Sequence, residues 1–419
     1  MNYIFRALEG RLRKYEKTYK AILVTGARQV GKSTLLKKVF ADRKYVSLDD
    51  PFMEQQARES GNMFLELNSP PVTIDEVQRA KELFRYIKIK CDESEDKGLF
   101  CLSGSQPFHL MQNVSESLSG RIGIVELSGL SMRECMGDSF NLHFLPTMEY
   151  VAERRKSVKK PENIWEVIHR GGYPELQDKD KEWNAFYADY VKTYIERDVR
   201  ELAAVQDLNA FRQLMIAVAA RTGEVLNYSN IASEIGKDVG TVKNWISILE
   251  ASGIIHLLEP YTSNILKRAI KSPKLYFRDT GLVCYLTRWL TAESLAYGAM
   301  SGSVFETFVV SEILKSFSNE GLDYRHFVSY YRGRDKKKVN EDGETRELEA
   351  EIDLIIEENG ILYPVEIKKN AEAKAIMTSA FPILDQIPGK ERGMGAVICN
   401  CPDVGALREN VLQIPVWYI

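Results

Sequence analysis

An α/β fold with a mainly parallel sheet is predicted for residues 1–140, and two observations lead to this prediction. The apolar run Ala21 to Val24 has the length of a strand and passes into a glycine-containing turn, after which Leu35 and Leu36 open a helical pattern. Further apolar runs of strand length alternate with helical stretches along the same region. Strands that alternate with helices pair in parallel within one sheet, and the helices pack on its faces.

The turn has the spacing Gly-x-x-x-x-Gly-Lys-Ser between a strand and a helix, which is typical of a phosphate-binding loop. Gly26 and Gly31 let the backbone N–H groups turn toward phosphates, and the helix N-terminus adds its positive dipole end. We expect Lys32 to reach the β- and γ-phosphates and Ser33 to hold Mg²⁺. The residues predicted to bind ATP, or alternatively GTP, are Gly26, Ala27, Arg28, Gln29, Val30, Gly31, Lys32, Ser33 and Thr34.

Two acids follow a later strand of this region, at the position of a Walker B element. The run Val72 to Ile74 ends in Asp75 and Glu76. We expect Asp75 to hold Mg²⁺ through water and Glu76 to act as the catalytic residue that orients or deprotonates the attacking water. The alternative is that the two acids cap the next helix.

Polar residues after the next apolar run are candidates for sensing the γ-phosphate. The run Leu99 to Leu102 leads into Ser105 and Gln106, where ATPases of the AAA+ type place a polar sensor. A plain polar turn is the alternative for either residue.

Arg121 is a further catalytic candidate, because it directly precedes the apolar run that begins at Ile122. An arginine at the edge of a nucleotide domain is able to act as a finger or as a sensor in trans, which raises turnover by ~10³ to 10⁵ where it occurs. A solvated turn arginine is the alternative.

Composition limits the classes of protein to consider. A chain of 419 residues predicts about two to four domains. Lys and Arg number 56 against 59 Asp and Glu, so the net charge of −3 gives no overall basic field, although a local patch can still bind nucleic acid. The longest apolar runs are shorter than the ~20 residues of a membrane span, and the first residues lack a signal-peptide core. We therefore expect a cytoplasmic protein without a membrane partner, and its six scattered cysteines indicate neither a disulfide framework nor a zinc site.

The middle of the chain predicts a helical lid or connector over residues 141–222 and a winged helix-turn-helix over residues 223–298. In the second, Ser229 is expected to cap one helix and Thr241 to begin the recognition helix. Lys243 and Asn244 would point outward from it. Positive residues suited to phosphate contacts are Lys237, Lys267, Arg268 and Lys271. DNA binding and a role as a protein-binding or lid module remain alternatives.

The last portion, residues 299–419, contains a second candidate site. Asn359-Gly360 predicts a two-residue hairpin turn, and counting back from it places Asp353 opposite Glu366. Facing carboxylates repel unless a cation lies between them, and a divalent metal would supply one. With Lys368 as the catalytic lysine, the Asp…Glu-x-Lys set resembles the PD-(D/E)xK nuclease-like fold, that is, an α/β restriction-endonuclease-like domain.

Glu306 is the fourth residue of this candidate metal site. It lies on an apolar helical stripe, as does the helical acid of that fold, and would be a ligand of Mg²⁺ or Mn²⁺ beside Asp353 and Glu366. Ser303 and Glu306 also have the spacing of a capping box, and Lys368 with Glu351 could instead form a cross-strand ion pair. Lys336, Lys337 and Lys338 form a charge run that attracts nucleic acid or is a solvated loop.

Several blocks together resemble a family of prokaryotic AAA-type ATPases that carry a characteristic C-terminal region of unknown function. Within the first domain these are the loop from Gly26 to Thr34, Leu48-Asp-Asp50, Ile74-Asp-Glu-Val-Gln78, Leu102-Ser-Gly-Ser-Gln106 and Ser119-Gly-Arg121. Later blocks are Gly171-Gly-Tyr-Pro-Glu175, Arg197-Asp-Val199, Thr241-Val-Lys-Asn-Trp245, Phe277-Arg-Asp-Thr-Gly281, Phe305-Glu306, Glu351-Ile-Asp353 and Val365-Glu-Ile-Lys368. The resemblance implies ATP binding and slow hydrolysis but no defined cellular role.

The predicted organisation is thus an AAA-like P-loop domain over residues 1–140, the lid, the winged helix and the nuclease-like domain. Two hypotheses for function remain. One is an ATP-fuelled enzyme that acts on DNA, with a metal nuclease at its C-terminal end. The other is a nucleotide-dependent switch that binds nucleic acid or a protein and cuts nothing. The first domain is also a candidate for forming a homo-oligomer.

Overall fold

The computed structural model describes residues 3–105, 118–195, 207–261, 272–339 and 345–419. Several predicted residues lie outside the described residues: Gln106, Arg197, Asp198, Lys267, Arg268 and Lys271, together with the side chains of Lys336, Lys337 and Lys338. Within the described ranges, no helix is long and apolar enough to cross a membrane.

The first region forms one five-stranded parallel sheet in the order β2-β3-β4-β1-β5. Its elements are α1 (Glu9–Thr18), β1 (Ala21–Thr25), α2 (Lys32–Val39), β2 (Lys44–Ser47), α3 (Pro51–Glu59), α4 (Gly61–Leu67), β3 (Val72–Asp75), α5 (Leu83–Glu93), β4 (Phe100–Ser103) and β5 (Ile122–Glu126). All of β1 is buried, because Ala21 and Leu23 join the core on one side of the sheet while Ile22 and Val24 join the core on the other. A central strand covered on both faces needs such a continuous apolar run. The predicted α/β fold with a parallel sheet is confirmed.

Short helices connect this sheet to the rest of the chain. They are α6 (Met132–Cys135), α7 (Met148–Arg155), α8 (Ile164–Arg170) and α9 (Trp183–Asp189), followed by a π-helical segment over Tyr190–Ile195. The helical run that begins at Trp183 is therefore irregular within its described part. Gly171 has φ +81°, and a Cβ there would lie 2.4 Å from the Tyr187 hydroxyl, so this turn requires glycine.

Helices and a two-stranded hairpin follow. They are α10 (Leu208–Ala219), α11 (Tyr228–Ile235), α12 (Val239–Ala251), β6 (Ile255–Leu258), β7 (Lys274–Phe277), α13 (Thr280–Leu286) and α14 (Ala292–Tyr297). The predicted start points are wrong by a few residues. Asn227 rather than Ser229 caps α11, and Asp238 caps α12, which begins before Thr241, because each of these side chains accepts a hydrogen bond from a backbone N–H three residues later.

The last region combines a long helix, α15 (Ser301–Glu320), with a mixed sheet in the order β13-β14-β12-β10-β9-β8 and with β11 beside β10. The strands are β8 (Val328–Val339), β9 (Thr345–Glu358), β10 (Ile361–Ile367), β11 (Glu391–Arg392), β12 (Gly395–Cys399), β13 (Gly405–Arg408) and β14 (Val411–Pro415). Asn359 and Gly360 both have positive φ, and Glu358 pairs with Ile361. The predicted hairpin register is confirmed, since the paired positions run on to Val365 and Leu354, directly before Glu366 and Asp353.

The helix α15 also contacts the loop that follows β5. The Glu312 carboxylate accepts a hydrogen bond from the Met132 backbone N–H at 2.8 Å, and the Lys315 ammonium donates to the Leu130 carbonyl at 3.0 Å. Glu312 and Lys315 are themselves a buried ion pair at 2.8 Å. The first and last regions are thus joined by paired rather than isolated buried charges, as burial of charge requires.

Candidate functional site

The phosphate-binding loop has a backbone that two glycines make possible. Gly26 has φ +143°, and a Cβ there would lie 2.1 Å from the Leu127 carbonyl oxygen. Gly31, which directly precedes α2, has φ +95°. A side chain at either position would be strained, and at Gly26 it would also clash with the backbone.

The loop is held in place by two cations. Lys32 is 6% exposed, and its Nζ donates to the carbonyl oxygens of Gly26 at 3.0 Å and Ala27 at 2.8 Å. Arg6 donates to the Val30 carbonyl oxygen at 2.8 Å from the other side. The structure thus places the Lys32 ammonium over the loop that is predicted to receive the phosphates.

Asp75 lies at the carboxyl end of β3 and accepts three hydroxyl hydrogen bonds. The Ser33 Oγ donates to its Oδ2 at 2.7 Å, and the hydroxyls of Tyr45 and Ser103 donate as well. Burial together with the hydrogen bond to Asp75 raises the pKa of the Tyr45 hydroxyl, which stays a donor. Ser33 and Asp75, which were each expected to hold Mg²⁺, therefore lie in contact, whereas Tyr45 and Ser103 had not been predicted to take part.

Glu76 follows in a left-handed backbone conformation, with φ 57° and ψ 41°. Its Oε2 accepts a hydrogen bond from the Ser105 hydroxyl at 3.2 Å and another from the Gln78 amide. A non-glycine residue in this conformation costs energy and is common at functional sites. The structure brings Ser105 to Glu76, and Gln78 is an additional partner that sequence reasoning missed although it belongs to a quoted block.

Arg121 lies away from the loop of its own chain. It is at the start of β5, whose Ile122 pairs with Ala21, whereas the loop leaves β1 at Thr25. At 3.3 Å per strand residue this separation is about 13 Å along the sheet. The Arg121 side chain is partly exposed and pairs with Asp92. A role in trans and the solvated turn arginine both remain open for it.

A cavity of about 770 Å³ opens beside the first residues of the loop. It is lined by Gly26 and Ala27, by the end of α12, by Ser318 in the last turn of α15, and by residues 321–325 that follow that helix. Arg278 projects into it, pairs with Glu126, and donates to the Tyr324 hydroxyl at 2.9 Å. Burial alone would raise the pKa of the Glu126 carboxyl, but the Arg278 guanidinium overrides that effect and holds it below its ordinary value. Sequence reasoning gave Arg278 no role.

The C-terminal acids face each other as the register predicted, and Lys368 lies between them. Its Nζ is 3.1 Å from the Asp353 Oδ2 and 2.9 Å from the Glu366 Oε1. The Ile367 backbone N–H also donates to Asp353 at 2.8 Å, whereas the Glu366 Oε2 has no hydrogen-bond partner among the described residues. Burial, and then the Asp353 charge, raise the pKa of the Glu366 carboxyl to about 8.

A second lysine enters the same cluster from outside the C-terminal domain. Lys274, the first residue of β7, has its Nζ 3.3 Å from the Glu306 Oε1, 2.5 Å from the Glu351 Oε1 and 3.8 Å from the Asp353 Oδ1. The Tyr276 hydroxyl donates to Glu306 at 2.7 Å. Burial alone would lower the pKa of the Lys274 ammonium, but the neighbouring carboxylates outweigh burial and raise that pKa above its ordinary value.

The predicted metal ligands Glu306, Asp353 and Glu366 do not form a metal site in the described part of the chain, where no group of three or more His, Cys, Asp or Glu residues is arranged to hold an ion. The physical reason is that Lys274 and Lys368 already lie among the acids, so the repulsion that a metal would relieve is answered by two ammonium groups. The set of residues present does not fit a divalent ion.

Comparison with known proteins agrees with the fold of the first region. Residues 18–136 match the profile of the AAA domain family, residues 161–293 match a domain of unknown function (DUF8612), and residues 301–419 match another (DUF4143). The first region is therefore similar in sequence to AAA-type P-loop domains. Uncharacterized proteins of Mycobacterium tuberculosis and Mycobacterium bovis are each 28% identical over 369 residues, which is 87% of this chain and 74% of theirs.

Two solved structures, of an ATPase and of a DnaA protein, are weakly similar to this chain. A Walker-type ATPase of Pyrococcus abyssi has a TM-score of 0.44 at 16% identity, covering 68% of this chain and 96% of that one. AMPPCP-bound DnaA from Aquifex aeolicus has a TM-score of 0.29 at 17% identity, covering 68% and 91%. Overlaps of this size carry no inference about function.

Proposed function

We propose that the protein is a Mg²⁺-dependent ATPase whose nucleotide site is formed by the loop from Gly26 to Thr34 together with Asp75, Glu76 and Ser105. The observation that supports this most is the meeting of Ser33 with Asp75 at 2.7 Å, directly beside a buried lysine that lies over the loop. The loop after β1, the end of β3 and the end of β4 thus converge at one place, and the loop motif alone does not require this.

The residues present fit Mg²⁺. The Ser33 hydroxyl and the Asp75 carboxylate are hard oxygen donors at the end of β3, and few protein ligands suffice because Mg²⁺ keeps most of its waters and takes phosphate oxygens. When bound, Mg²⁺ neutralises charge on the phosphates during transfer. Lys32 adds a point charge at the β- and γ-phosphates. Glu76, held by Ser105 and Gln78, orients a water and accepts its proton.

We further propose that residues 223–298 form a winged helix and residues 299–419 a nuclease-like domain that cuts nothing. Lys243 and Asn244 are exposed on α12, as contacts to DNA phosphates need. Lys274 and Lys368 neutralise the acids that a nuclease would use for its metal. These contacts favour the nucleotide-dependent switch over the ATP-fuelled nuclease.

Two substitutions and one control test the ATPase. Lys32→Ala should weaken ATP binding about 10- to 100-fold, because it removes a charge-assisted contact worth about 1.5 to 3 kcal/mol. Glu76→Gln should keep binding and lose phosphate release, whereas Lys38→Ala, an exposed lysine on the same helix, should change neither. Isothermal titration and phosphate release measure the two quantities, and wild-type turnover in both site variants would overturn the assignment.

A further inference from the structure

Lys274 is a buried cation at a boundary between two parts of the chain. It begins β7 of the hairpin with β6, whereas the carboxylates around it belong to α15 and β9 of the C-terminal domain. The residue is 2% exposed. A lysine is almost never buried to this degree unless it is paired.

The position of the Lys274 Nζ relative to the acids is that of a bridging cation. It lies 3.3 Å from Glu306 and 3.8 Å from Asp353, which come from the helix and the strand that a nuclease-like site would use for its metal. Two carboxylates held this close to one cation repel each other when the cation is removed.

We propose that Lys274 is the built-in cation of the C-terminal acid cluster: it takes the place of a divalent ion between Glu306 and Asp353 and holds the β6–β7 hairpin on the C-terminal domain. Lys274 and a divalent ion exclude each other, since both require the same carboxylate oxygens. The cluster is thus an intramolecular contact between two domains, and this holds whether or not the protein hydrolyses ATP.

Neighbouring contacts fix the hairpin in the position that this contact needs. The Tyr276 hydroxyl donates to Glu306 at 2.7 Å, and the Tyr330 hydroxyl of β8 donates to the Ser272 carbonyl at 2.6 Å. Lys274 and Tyr276 are two residues apart on a strand and therefore point to the same side. Lys274 and Tyr276 thus both contact Glu306 of α15.

The test compares melting temperatures of the nucleotide-free full-length protein in EDTA and in millimolar Mn²⁺. Lys274→Met should melt at least about 5 °C below wild type in EDTA, because it leaves buried acids without their cation. Mn²⁺ should restore much of that loss in Lys274→Met but not in Lys274→Met combined with Asp353→Asn. Lys156→Met, which breaks an exposed ion pair with Glu153, should melt as wild type does.

Either of two results overturns the proposal: an equal Mn²⁺ shift in wild type and Lys274→Met, or a Lys274→Met variant that neither loses stability nor responds to Mn²⁺. If Lys274→Met does not fold, electron paramagnetic resonance can instead count the Mn²⁺ ions bound by wild type and by Asp353→Asn. Equal numbers of bound ions are expected, since Lys274 fills the site. Loss of one ion in Asp353→Asn would show that a metal binds there despite Lys274.

Discussion

Glu366→Gln should change how the stability of the protein depends on pH. The Glu366 side chain is 11% exposed, and one of its oxygens has no hydrogen-bond partner in the part of the chain that the structure describes. Burial and the Asp353 charge raise the pKa of its carboxyl from 4.5 to about 8. Between these two values the folded protein retains a proton that the unfolded chain has released. The free energy of unfolding therefore falls as pH rises from about 4.5 to about 8.

The size of the effect follows from the same values. A difference of 8 − 4.5 = 3.5 in pKa, at about 1.36 kcal/mol for each pKa unit, corresponds to about 4 to 5 kcal/mol lost across that range as an upper limit. Glutamine carries no charge at any pH, so the Glu366→Gln variant loses none of this free energy of unfolding as pH rises. Relative to wild type, Glu366→Gln should thus gain several kcal/mol of stability between pH 5 and pH 9.

Denaturant unfolding of both proteins at a series of pH values measures this difference, in which the titration of all other groups largely cancels. Glu149→Gln, at an exposed glutamate, is the matched control and should follow wild type. A stability difference between Glu366→Gln and wild type that stays flat from pH 5 to pH 9 would refute the reasoning, since Glu366 would then titrate alike in the folded and unfolded chains.

Two further predictions concern partners. Lys243→Glu should weaken binding to duplex DNA of any sequence and lower the slope of log K against log salt by about one, and an unchanged slope would leave α12 as a protein-binding element. If Arg121 acts in trans, Arg121→Ala should lose ATP turnover, and mixing it with Lys32→Ala should restore part of it, because each variant supplies what the other lacks. Asp92→Asn, which removes only the partner of Arg121, should retain turnover.

Local sequence patterns were sufficient for the features that depend on neighbouring residues. The loop from Gly26 to Ser33 and the hairpin turn at Asn359-Gly360 both need particular residues at fixed spacing, so a short stretch specifies them. The turn in turn fixes the register, which is why Asp353 and Glu366 were predicted to face each other. Ser33 and Asp75 meet because the loop after β1 and the end of β3 lie at the same edge of one parallel sheet.

The residues that sequence reasoning missed depend on how distant segments pack. Tyr45 reaches Asp75 because β2 is the neighbour of β3, and Ser103 because β4 is the other neighbour, so the sheet order decides both contacts. Arg278, which directly follows β7, forms an ion pair with Glu126 at the end of β5. No periodicity in the chain contains such information, since each partner lies in a different element.

The expected metal site shows how far local register alone can describe a site. Asp353, Glu366 and Lys368 lie where the hairpin register puts them, but the charge of the site also depends on Lys274, which comes from a strand far earlier in the chain. Four residues further on, directly after β7, Arg278 lines the cavity beside the phosphate-binding loop. One short segment thus supplies a cation to the C-terminal acids and another to the edge of the nucleotide site. We therefore expect a shift of this segment to disturb both the ion pairs of Lys274 with the C-terminal acids and the ion pair of Arg278 with Glu126.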